Sequence, residues 1–234
     1  GIRDIGVTGV QTCALPISTA GENPYYQWGR KDPFLPSSGS STNNKTWYNK
    51  DGISSTANPM IDRTRFEGPD RIRNFILKPD VILNPDGSNS YYYNLWSANN
   101  NEYVAGDNEV VKTVYDPCPV GFTLPAGNTF SGFTTTGQKV SSKSEINGIW
   151  VLNRGYKFYT DITKSKNIFF PASGWRSQAN GKVYYTRGKG TSWSSVYDGH
   201  NGDALGMVFQ SSFMDPSSAD YFWAIGFAVR PAEE

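Results

Sequence analysis

The side chains with the greatest capacity for covalent chemistry in this chain are Cys118 and the single histidine, His200. A thiolate beside a general base is a strong nucleophile, so the two residues would have to meet in the fold to act together. Cys118 stands between two prolines in the segment YDPCPVGFTLP, whereas His200 lies much later, in a loop rich in Gly, Asp and Asn. We therefore expect Cys118 to be a small buried residue, with no metal and no catalytic partner.

A second group of functional side chains surrounds that histidine, in a loop that follows the run SWSS. The candidate ligand-binding residues are Tyr197, Asp198, His200, Asn201 and Asp203, with Asp215 and Asp220 as neighbours. They combine an aromatic face with carboxylates and amides, which suits polyhydroxylated ligands, and loops commonly carry binding residues. The segment DGHNGD lacks the ligand order of an EF-type loop, so calcium is not favoured and we predict no cofactor. A loop with no ligand is the alternative.

Tryptophan provides a further clue, because the chain has seven of them and their flat rings can stack on sugars. Most lie in apolar or β-rich contexts, and we expect these to be core residues: Trp28, Trp150, Trp175, Trp193 and Trp223. Trp47 and Tyr48 differ, because they lie in the polar segment NNKTWYNKDG. We include this pair among the candidate ligand-binding residues. An exposed aromatic pair without a function is the alternative.

Composition limits the partners and the class of the protein. The net charge of +1 gives no electrostatic reason for binding nucleic acid or an anionic membrane. No apolar run approaches the roughly 20 residues of a membrane-spanning helix, so we expect no membrane insertion. Aromatic residues reach 15% and charged residues only 18%, below the usual value of about 25%. With many Gly, Pro, Asn and Ser residues, this balance is typical of a loop-rich, β-containing extracellular domain.

The elements that must position these residues are short. The second half of the chain contains β-rich runs bounded by turn residues, among them GIWVLNRGYKFYTD, KNIFFPASGWRS and YFWAIGFAVRP. Asn180-Gly181 predicts a hairpin turn. Earlier, NPMIDRTRFEGPDRIRNFIL predicts two short helical turns separated by Gly68-Pro69. Its arginines alternate with acidic residues and predict a solvated, ion-paired face: Arg63, Arg65, Arg71 and Arg73.

Residues 1–17, GIRDIGVTGVQTCALPI, differ from the rest of the chain. They contain neither Trp nor Tyr, and polar and glycine residues such as Asp4 interrupt any apolar run, so they do not fit a secretory signal. Their order resembles the translation of a short-read sequencing adapter. We therefore set residues 1–17 aside as an artefact with no domain. We expect residues 18–234 to be a single domain from a longer protein, in which Cys118 has no disulfide partner.

Several longer motifs occur in an order that resembles a known family. They are YYQWGRKDPF, KTVYDPCPVGFTLP, FFPASGWRS followed by NGK, SWSS and the closing GFAVRP. Together they resemble the Fibrobacter succinogenes-type major paralogous domain, common in Bacteroidetes surface lipoproteins and fimbrillin-like proteins. The resemblance runs from about Tyr25 to Pro231. It implies an α+β fold: a C-type-lectin-like mixed domain, β-rich and loop-rich, with a few short helices. It also implies that YFWAIGFAVRP is one strand, buried on both faces, that pairs in the middle of the sheet or with the N-terminal region.

The same resemblance implies a function outside catalysis. It implies a cell-surface binding or adhesion module of an exported bacterial protein, extracellular at the outer-membrane surface, whose partner is a surface glycan or another surface protein. A structural subunit or tip domain of a fimbria-like assembly is the alternative. An enzyme similar to formylglycine-generating enzymes ranks third, because that chemistry uses a pair of active-site cysteines. Many family members carry a cysteine near the final VR, whereas Pro231 follows Arg230 here.

Overall fold

The computed structural model describes residues 23–36, 46–48, 51–66, 69–84, 92–100, 108–198 and 202–234. Within these ranges strands hold 38% of the residues and helices 8%. The predicted α+β class, and with it the C-type-lectin-like mixed domain, is therefore wrong, and the fold is β-rich. The short aromatic and β-branched runs find strand partners, whereas the segments between them carry too much Gly, Pro and Thr to form helices. The adapter-like residues 1–17 lie outside the described ranges.

Sixteen strands follow one another along the described part of the chain. In the first half they are β1 (Tyr26–Gln27), β2 (Trp47–Tyr48), β3 (Ser54–Ser55), β4 (Met60–Asp62), β5 (Val81–Leu83) and β6 (Phe122–Thr123). In the second half they are β7 (Gly148–Val151), β8 (Gly155–Tyr159), β9 (Asn167–Pro171), β10 (Trp175–Arg176), β11 (Val183–Tyr184), β12 (Gly190–Tyr197), β13 (Asp203–Gln210), β14 (Phe213–Phe222), β15 (Gly226–Phe227) and β16 (Ala232–Glu233). Helix α1 spans Pro69–Leu77, and 3₁₀ turns span Ser131–Phe133 and Lys143–Glu145.

The first strand and the next-to-last strand of the described chain pair in one sheet. Its strands lie in the order β1, β15, β10, β11, and Tyr26 pairs with Phe227 in antiparallel register. The predicted pairing of YFWAIGFAVRP with the N-terminal region is confirmed, but the segment is not one strand. β14 ends at Phe222, the chain turns through Trp223, and β15 begins at Gly226. Trp223 and Phe227 are both buried in the core.

Two three-stranded antiparallel sheets carry the longer strands. β12, β13 and β14 form one, and β7, β8 and β9 form the other. Trp28 and Trp193 belong to the larger apolar cluster, together with much of the sheet formed by β12, β13 and β14. A second cluster, which includes Phe158 and Phe209, joins the two three-stranded sheets. Stacked and edge-on aromatic rings pack within these clusters, such as Trp193 on Phe227 and Phe158 on Phe209.

The predicted core tryptophans divide between the core and its margin. Trp28, Trp193 and Trp223 have at most 2% of their surface exposed, so the prediction is confirmed for them. Trp150 and Trp175 are only half-buried. For these two the prediction is wrong in part, because a ring at the margin of a small sheet is covered on one side and accessible on the other.

Helix α1 connects two parallel strands, β4 and β5. It begins at Pro69, whose fixed φ suits the first helical turn and whose missing N–H is not needed there. Phe75 packs into the core, with its ring centroid 6.0 Å from that of Trp223. Of the two predicted helical turns, the second is confirmed and the first is wrong, because Met60–Asp62 pairs with β5 as a strand.

One arginine of the predicted solvated face is not solvated. Arg71 is 3% exposed, and its guanidinium carbon lies 4.5 Å from the centroid of the Trp223 ring. The prediction is wrong for Arg71, because its position on α1 brings it against an aromatic ring that attracts a cation. Arg63, Arg65 and Arg73 are exposed.

The motif YYQWGRKDPF forms a buried polar network. Gln27 is fully buried, and its side-chain amide donates to the backbone carbonyls of Leu83 and Ala224, both at 2.8 Å. Arg30 is 1% exposed and donates to Gln27 Oε1 at 3.0 Å. It also donates to two backbone carbonyls between α1 and the start of β5, at 2.7 and 2.8 Å. These bonds tie the first strand to β5 and to the C-terminal turn.

The motif YDPCPVGFTLP forms a turn around Asp116. The Asp116 carboxylate is buried and accepts the N–H groups of Cys118 at 2.7 Å and Leu124 at 3.0 Å. The Lys112 ammonium donates to three backbone carbonyls of the same turn, including those of Cys118 at 2.7 Å and Pro119 at 2.6 Å. The charged residues of this region thus satisfy its buried backbone groups, which accounts for them without a ligand.

The predicted hairpin at Asn180-Gly181 is confirmed. β10 and β11 pair with Trp175 opposite Tyr184. Gly181 has a φ of 69°, in the left-handed region that favours glycine, and a Cβ there would lie 2.6 Å from the Pro59 carbonyl oxygen. The hairpin therefore sets aromatic side chains beside each other at the surface of the sheet that contains β1 and β15.

Candidate functional site

The structure contradicts the prediction for one member of the loop site around His200. Tyr197 is 1% exposed, and its ring centroid lies 4.9 Å from that of Trp28 and 5.6 Å from that of Tyr93. It therefore offers no aromatic face to a ligand, contrary to the prediction, because the end of β12 packs onto the core. His200 and Asn201 lie outside the described residues.

The two aspartates that flank this loop lie close together. The Asp198 N–H donates to the Asp203 carbonyl at 3.1 Å, and both residues are half-buried. Burial, and then the charges of Asp198 and Asp220, raise the pKa of Asp203 to about 6. Asp215 is buried, with its carboxylate 3.7 Å from the Lys139 ammonium. In the part of the chain that the structure describes, no group of three or more His, Cys, Asp or Glu side chains is placed to hold a metal ion.

Trp47 and Tyr48 form strand β2, which pairs with β3 in a two-stranded ladder. Tyr48 is 69% exposed, so its ring is accessible to a partner. The side chain of Trp47 lies outside the described part of the molecule. A role for this pair in binding stays a prediction.

The prediction that Cys118 is buried is confirmed, since the residue is 8% exposed. It is a free cysteine. Burial, and then the nearby Asp116 carboxylate, raise the pKa of the Cys118 thiol far above its usual range. A thiol that stays protonated is a poor nucleophile at neutral pH. Cys118 is therefore a packing residue of the Asp116 turn.

An aromatic surface lies around the hairpin of β10 and β11. We define the aromatic surface as Trp175, Tyr184, Tyr185, Lys189 and Tyr221. The ring of Tyr185 stacks on that of Trp175, with centroids 4.7 Å apart and planes inclined by 22°. The Tyr184 ring lies 6.4 Å from that of Trp175. Tyr185 is nevertheless 60% exposed. A flat ring that another ring supports on one side, and that stays open to solvent, can stack on a ligand.

The backbone holds Tyr185 in an uncommon conformation. Its φ is 58°, in the left-handed region that bulky residues rarely occupy. The N–H groups of Gly188 and Lys189 donate to the Tyr185 carbonyl at 3.1 and 3.0 Å, and the Arg187 N–H donates to the Ala172 carbonyl at 2.7 Å. A strained backbone of this kind costs about 1–3 kcal/mol and is found most often at functional sites. The conformation therefore marks Tyr185 as a candidate binding residue.

Lys189 supports the aromatic surface from within. Its ammonium lies 4.6 Å from the Trp175 ring centroid and 5.1 Å from that of Tyr221, and it donates to the Tyr221 hydroxyl at 2.7 Å. Burial lowers the pKa of Lys189. Burial, and then the charges of Asp220 and Asp215, raise the pKa of Tyr221. The ammonium thus fixes one phenol and polarises the ring beside it.

Polar groups border the aromatic surface. The Asn180 side-chain amide donates to the Tyr184 hydroxyl at 2.7 Å, in an exposed position. Sequence analysis missed Tyr185 and Lys189. The available signal was YYTRGKG directly after the hairpin turn, in which two consecutive tyrosines precede a short segment of Gly and cationic residues. The positive φ that Tyr185 adopts just beyond β11 has no such signal.

A cleft of about 290 Å³ lies beside Cys118, where residues 23–26 approach residues 228–231. Five of its lining residues are prolines: Pro24, Pro117, Pro119, Pro171 and Pro231. Arg230 is the one charged side chain among the described residues that line it. Sequence analysis missed this cleft, because its walls come from five separate segments of the chain.

Comparisons with known proteins add no identity. No family model, no curated protein and no solved structure matches this chain. Among the residues that the structure describes, no helix is long and apolar enough to cross a membrane. The aromatic surface and the cleft are therefore the features of the molecule that point to a function.

Proposed function

We propose that this protein is a non-catalytic binding module that holds glycans against the aromatic surface. One observation carries the proposal. Tyr185 keeps 60% of its surface exposed while Trp175 supports its ring at 4.7 Å and its backbone is held at a φ of 58°. A ring fixed in this way loses little conformational entropy when a ligand stacks on it, which favours binding.

The chemistry of the aromatic surface suits a sugar. One face of a pyranose ring consists of C–H groups, which the electron-rich face of an aromatic ring attracts. The hydroxyls at the edge of the sugar need polar partners. The Asn180 amide and the Tyr184 hydroxyl are exposed beside the rings and can donate and accept such bonds.

We place this module at the surface of a bacterial cell, as part of an exported protein. The motif order that resembles the Fibrobacter succinogenes-type major paralogous domain supports this location, because that family is common in surface lipoproteins. The aromatic-rich composition with few charges supports it as well. The buried, protonated thiol of Cys118 supports a role outside catalysis.

A glycan array with the purified protein, followed by titration of each hit in solution, tests the proposal. We expect Tyr185→Ala to weaken binding about tenfold, because an aromatic contact of this kind contributes on the order of 1 kcal/mol. Leu152→Ala is the matched control, since Leu152 is 76% exposed and apolar but lies outside the aromatic surface. Unchanged binding by Tyr185→Ala, or no binding to any glycan, would overturn the proposal.

Two further arms of this experiment locate the site. If Tyr48→Ala abolished binding and Tyr185→Ala did not, the site would be the Trp47–Tyr48 strand. If EDTA abolished binding, a calcium ion would be part of the site, which we do not expect. The proposed site predicts that both treatments leave the affinity unchanged.

A second candidate function is a structural role in a fimbria-like assembly, which strand β7 favours. β7 lies at the edge of its three-stranded sheet and exposes Ile149 at 52%, with Leu152 at 76% just beyond it. An apolar edge strand can pair with a strand of another molecule. Sedimentation at increasing concentration tests this role. Association that Ile149→Lys abolishes would support it, and a monomer at every concentration would refute it.

A further inference from the structure

Arg230 places a cation in the cleft beside Cys118. Arg230 lines the cleft, and its guanidinium donates to the Phe169 carbonyl at 3.3 Å. The guanidinium carbon lies 5.2 Å from the centroid of the Phe170 ring. In the described part of the chain, no carboxylate forms an ion pair with Arg230. Much of the hydrogen-bonding capacity of this guanidinium is therefore left for a ligand.

The surroundings of Arg230 make its charge costly. Burial lowers the pKa of Arg230 to about 10, and no acidic group among the described residues opposes the shift. Desolvation disfavours a charged group unless an opposite charge compensates for it. A ligand that brings a carboxylate into the cleft would supply this compensation and accept two parallel hydrogen bonds from the guanidinium.

The rest of the cleft suits a small ligand with an apolar body. Proline side chains form much of the wall, and they are apolar and rigid. Ser192 also lines the cleft, and its buried hydroxyl has no hydrogen-bond partner in the described structure. The volume of about 290 Å³ lies at the lower end of the range for ligand sites.

We propose that this cleft binds a monocarboxylate with a short branched or aromatic body, with the carboxylate on the guanidinium of Arg230 and the apolar body against the prolines. The ligand is either a free small acid or the C-terminal carboxylate of a peptide. This site is separate from the aromatic surface, so it does not depend on the proposed glycan function.

Calorimetric titration of the full chain with 3-methylbutanoate tests the proposal. We expect a Kd below about 1 mM, in line with the affinity that so few non-hydrogen atoms can supply. The neutral isostere 3-methylbutanamide should bind at least tenfold more weakly, because it cannot pair with the guanidinium. Inorganic phosphate should also bind more weakly, because it lacks an apolar body. Equal affinity for the acid and the amide, or no binding of the acid at 10 mM, would overturn the proposal.

Variants of Arg230 test the site within the same protein. Arg230→Gln should weaken binding of 3-methylbutanoate at least tenfold, whereas Arg230→Lys should retain part of it because the charge remains. Arg73→Gln is the matched control, since Arg73 is exposed on α1. Near-ultraviolet circular dichroism of each variant reports whether the tryptophan core is intact. Unchanged binding by a folded Arg230→Gln variant would refute the site.

Two more measurements separate the sources of the ligand and the two sites. Tighter binding of the peptide Gly-Gly-Leu than of 3-methylbutanoate, lost on amidation of its C-terminus, would assign the cleft to peptide ends. Tighter binding of the free acid would assign it to small acids. Tyr185→Ala should leave both affinities unchanged, so failure of the glycan proposal and failure of this one give different results.

Discussion

Arg30 and Lys189 each lie against aromatic rings, yet the contact of Arg30 belongs to the scaffold and that of Lys189 to the surface. Arg30 is 1% exposed, and its guanidinium carbon lies 4.6 Å from the centroid of Phe34. Lys189 lies 4.6 Å from the centroid of Trp175, and the ring stacked on that tryptophan belongs to Tyr185, which is 60% exposed. The distance is the same, but the surroundings differ.

The difference teaches that the cation–π contact alone does not indicate a function. Around Arg30 both terminal guanidinium nitrogens donate to Gln27 or to backbone carbonyls, and the rings are covered. Around Lys189 the Tyr185 ring stays open to solvent, and the backbone of Tyr185 and of Arg187 has a positive φ. A change in the first region should therefore alter stability, and a change in the second should alter binding.

The largest effect is expected for Arg30→Ala. Removal of the guanidinium takes a charged donor from Gln27 Oε1 and from the Val81 and Lys78 carbonyls. Gln27 Oε1 and the Lys78 carbonyl then keep only the backbone N–H groups of Leu83 and Val81, each at 3.2 Å. Bonds to charged groups contribute about 1.5–3 kcal/mol each and are not additive, so we expect a loss on the order of 4 kcal/mol in the free energy of unfolding. Urea denaturation measures it, with Arg63→Ala as the exposed control. A loss below about 1 kcal/mol would remove the contrast between the two regions.

Asp116→Ala should be the next most damaging change. It leaves the N–H groups of Cys118 and Leu124 buried and unpaired, which costs roughly 3 kcal/mol in total. Asp116→Asn keeps one acceptor oxygen, so it should lose about half as much. The urea midpoints of the two variants give this ratio directly. Equal losses would show that the charge, and not the number of acceptors, stabilises the turn.

Tyr185 provides the opposite case, in which a change at the surface has little effect on stability. Glycine tolerates a φ of 58° and alanine does not, so Tyr185→Gly should be about 1 kcal/mol more stable than Tyr185→Ala. Both variants should bind glycan about tenfold more weakly than the original protein. At Tyr48, which lies in a strand and is 69% exposed, the order should reverse, with alanine more stable than glycine. Thermal melting of the four variants measures the order of stability of alanine and glycine at each position.

The smallest effect concerns the pH dependence of stability at Asp203. The pKa of Asp203 is raised from 3.8 to about 6 by burial and by neighbouring carboxylates. Between about pH 4 and pH 6 the folded state therefore binds more protons than the unfolded state, so stability falls as the pH rises through this window. Solvent screening keeps the effect small because Asp203 is only half-buried.

The urea midpoint between pH 4 and pH 7 measures this contribution. Asp203→Asn should flatten the fall, whereas Glu109→Gln, at an exposed position, should not change it. A fall of the same size in Asp203→Asn as in the original protein would show that another group is responsible.

Sequence patterns predicted local features better than they predicted tertiary contacts. The Asn180-Gly181 hairpin and the burial of Cys118 depend on neighbouring residues, and both were predicted correctly. Tyr197 and Arg71 were placed at the surface because their sequence neighbours are polar. Each is buried because a ring from a distant segment covers it: Trp28 in the first case and Trp223 in the second.

The candidate sites also depend on features that the local sequence does not predict. The aromatic surface depends on the positive φ of Tyr185, which no propensity scale assigns to a tyrosine. The cleft depends on the meeting of chain segments that no periodicity links. The helical turn predicted at Met60–Asp62 is wrong for a related reason, because the partner of β4 lies beyond α1 and pairing with it outweighs the local helical pattern.

The pairing of β1 with β15 has a consequence for the order of folding. The Gln27 side chain bonds to the Ala224 carbonyl across 197 positions of sequence, and β1 takes β15 as its partner. Closing so long a loop is slow, because the entropy of the whole intervening chain is lost before the contact forms. β1 therefore stays without this partner until synthesis has passed Phe227. A nascent chain that stops before β15 leaves β1 unpaired with it and leaves Trp193 without the Phe227 ring, whose centroid lies 4.2 Å from that of Trp193.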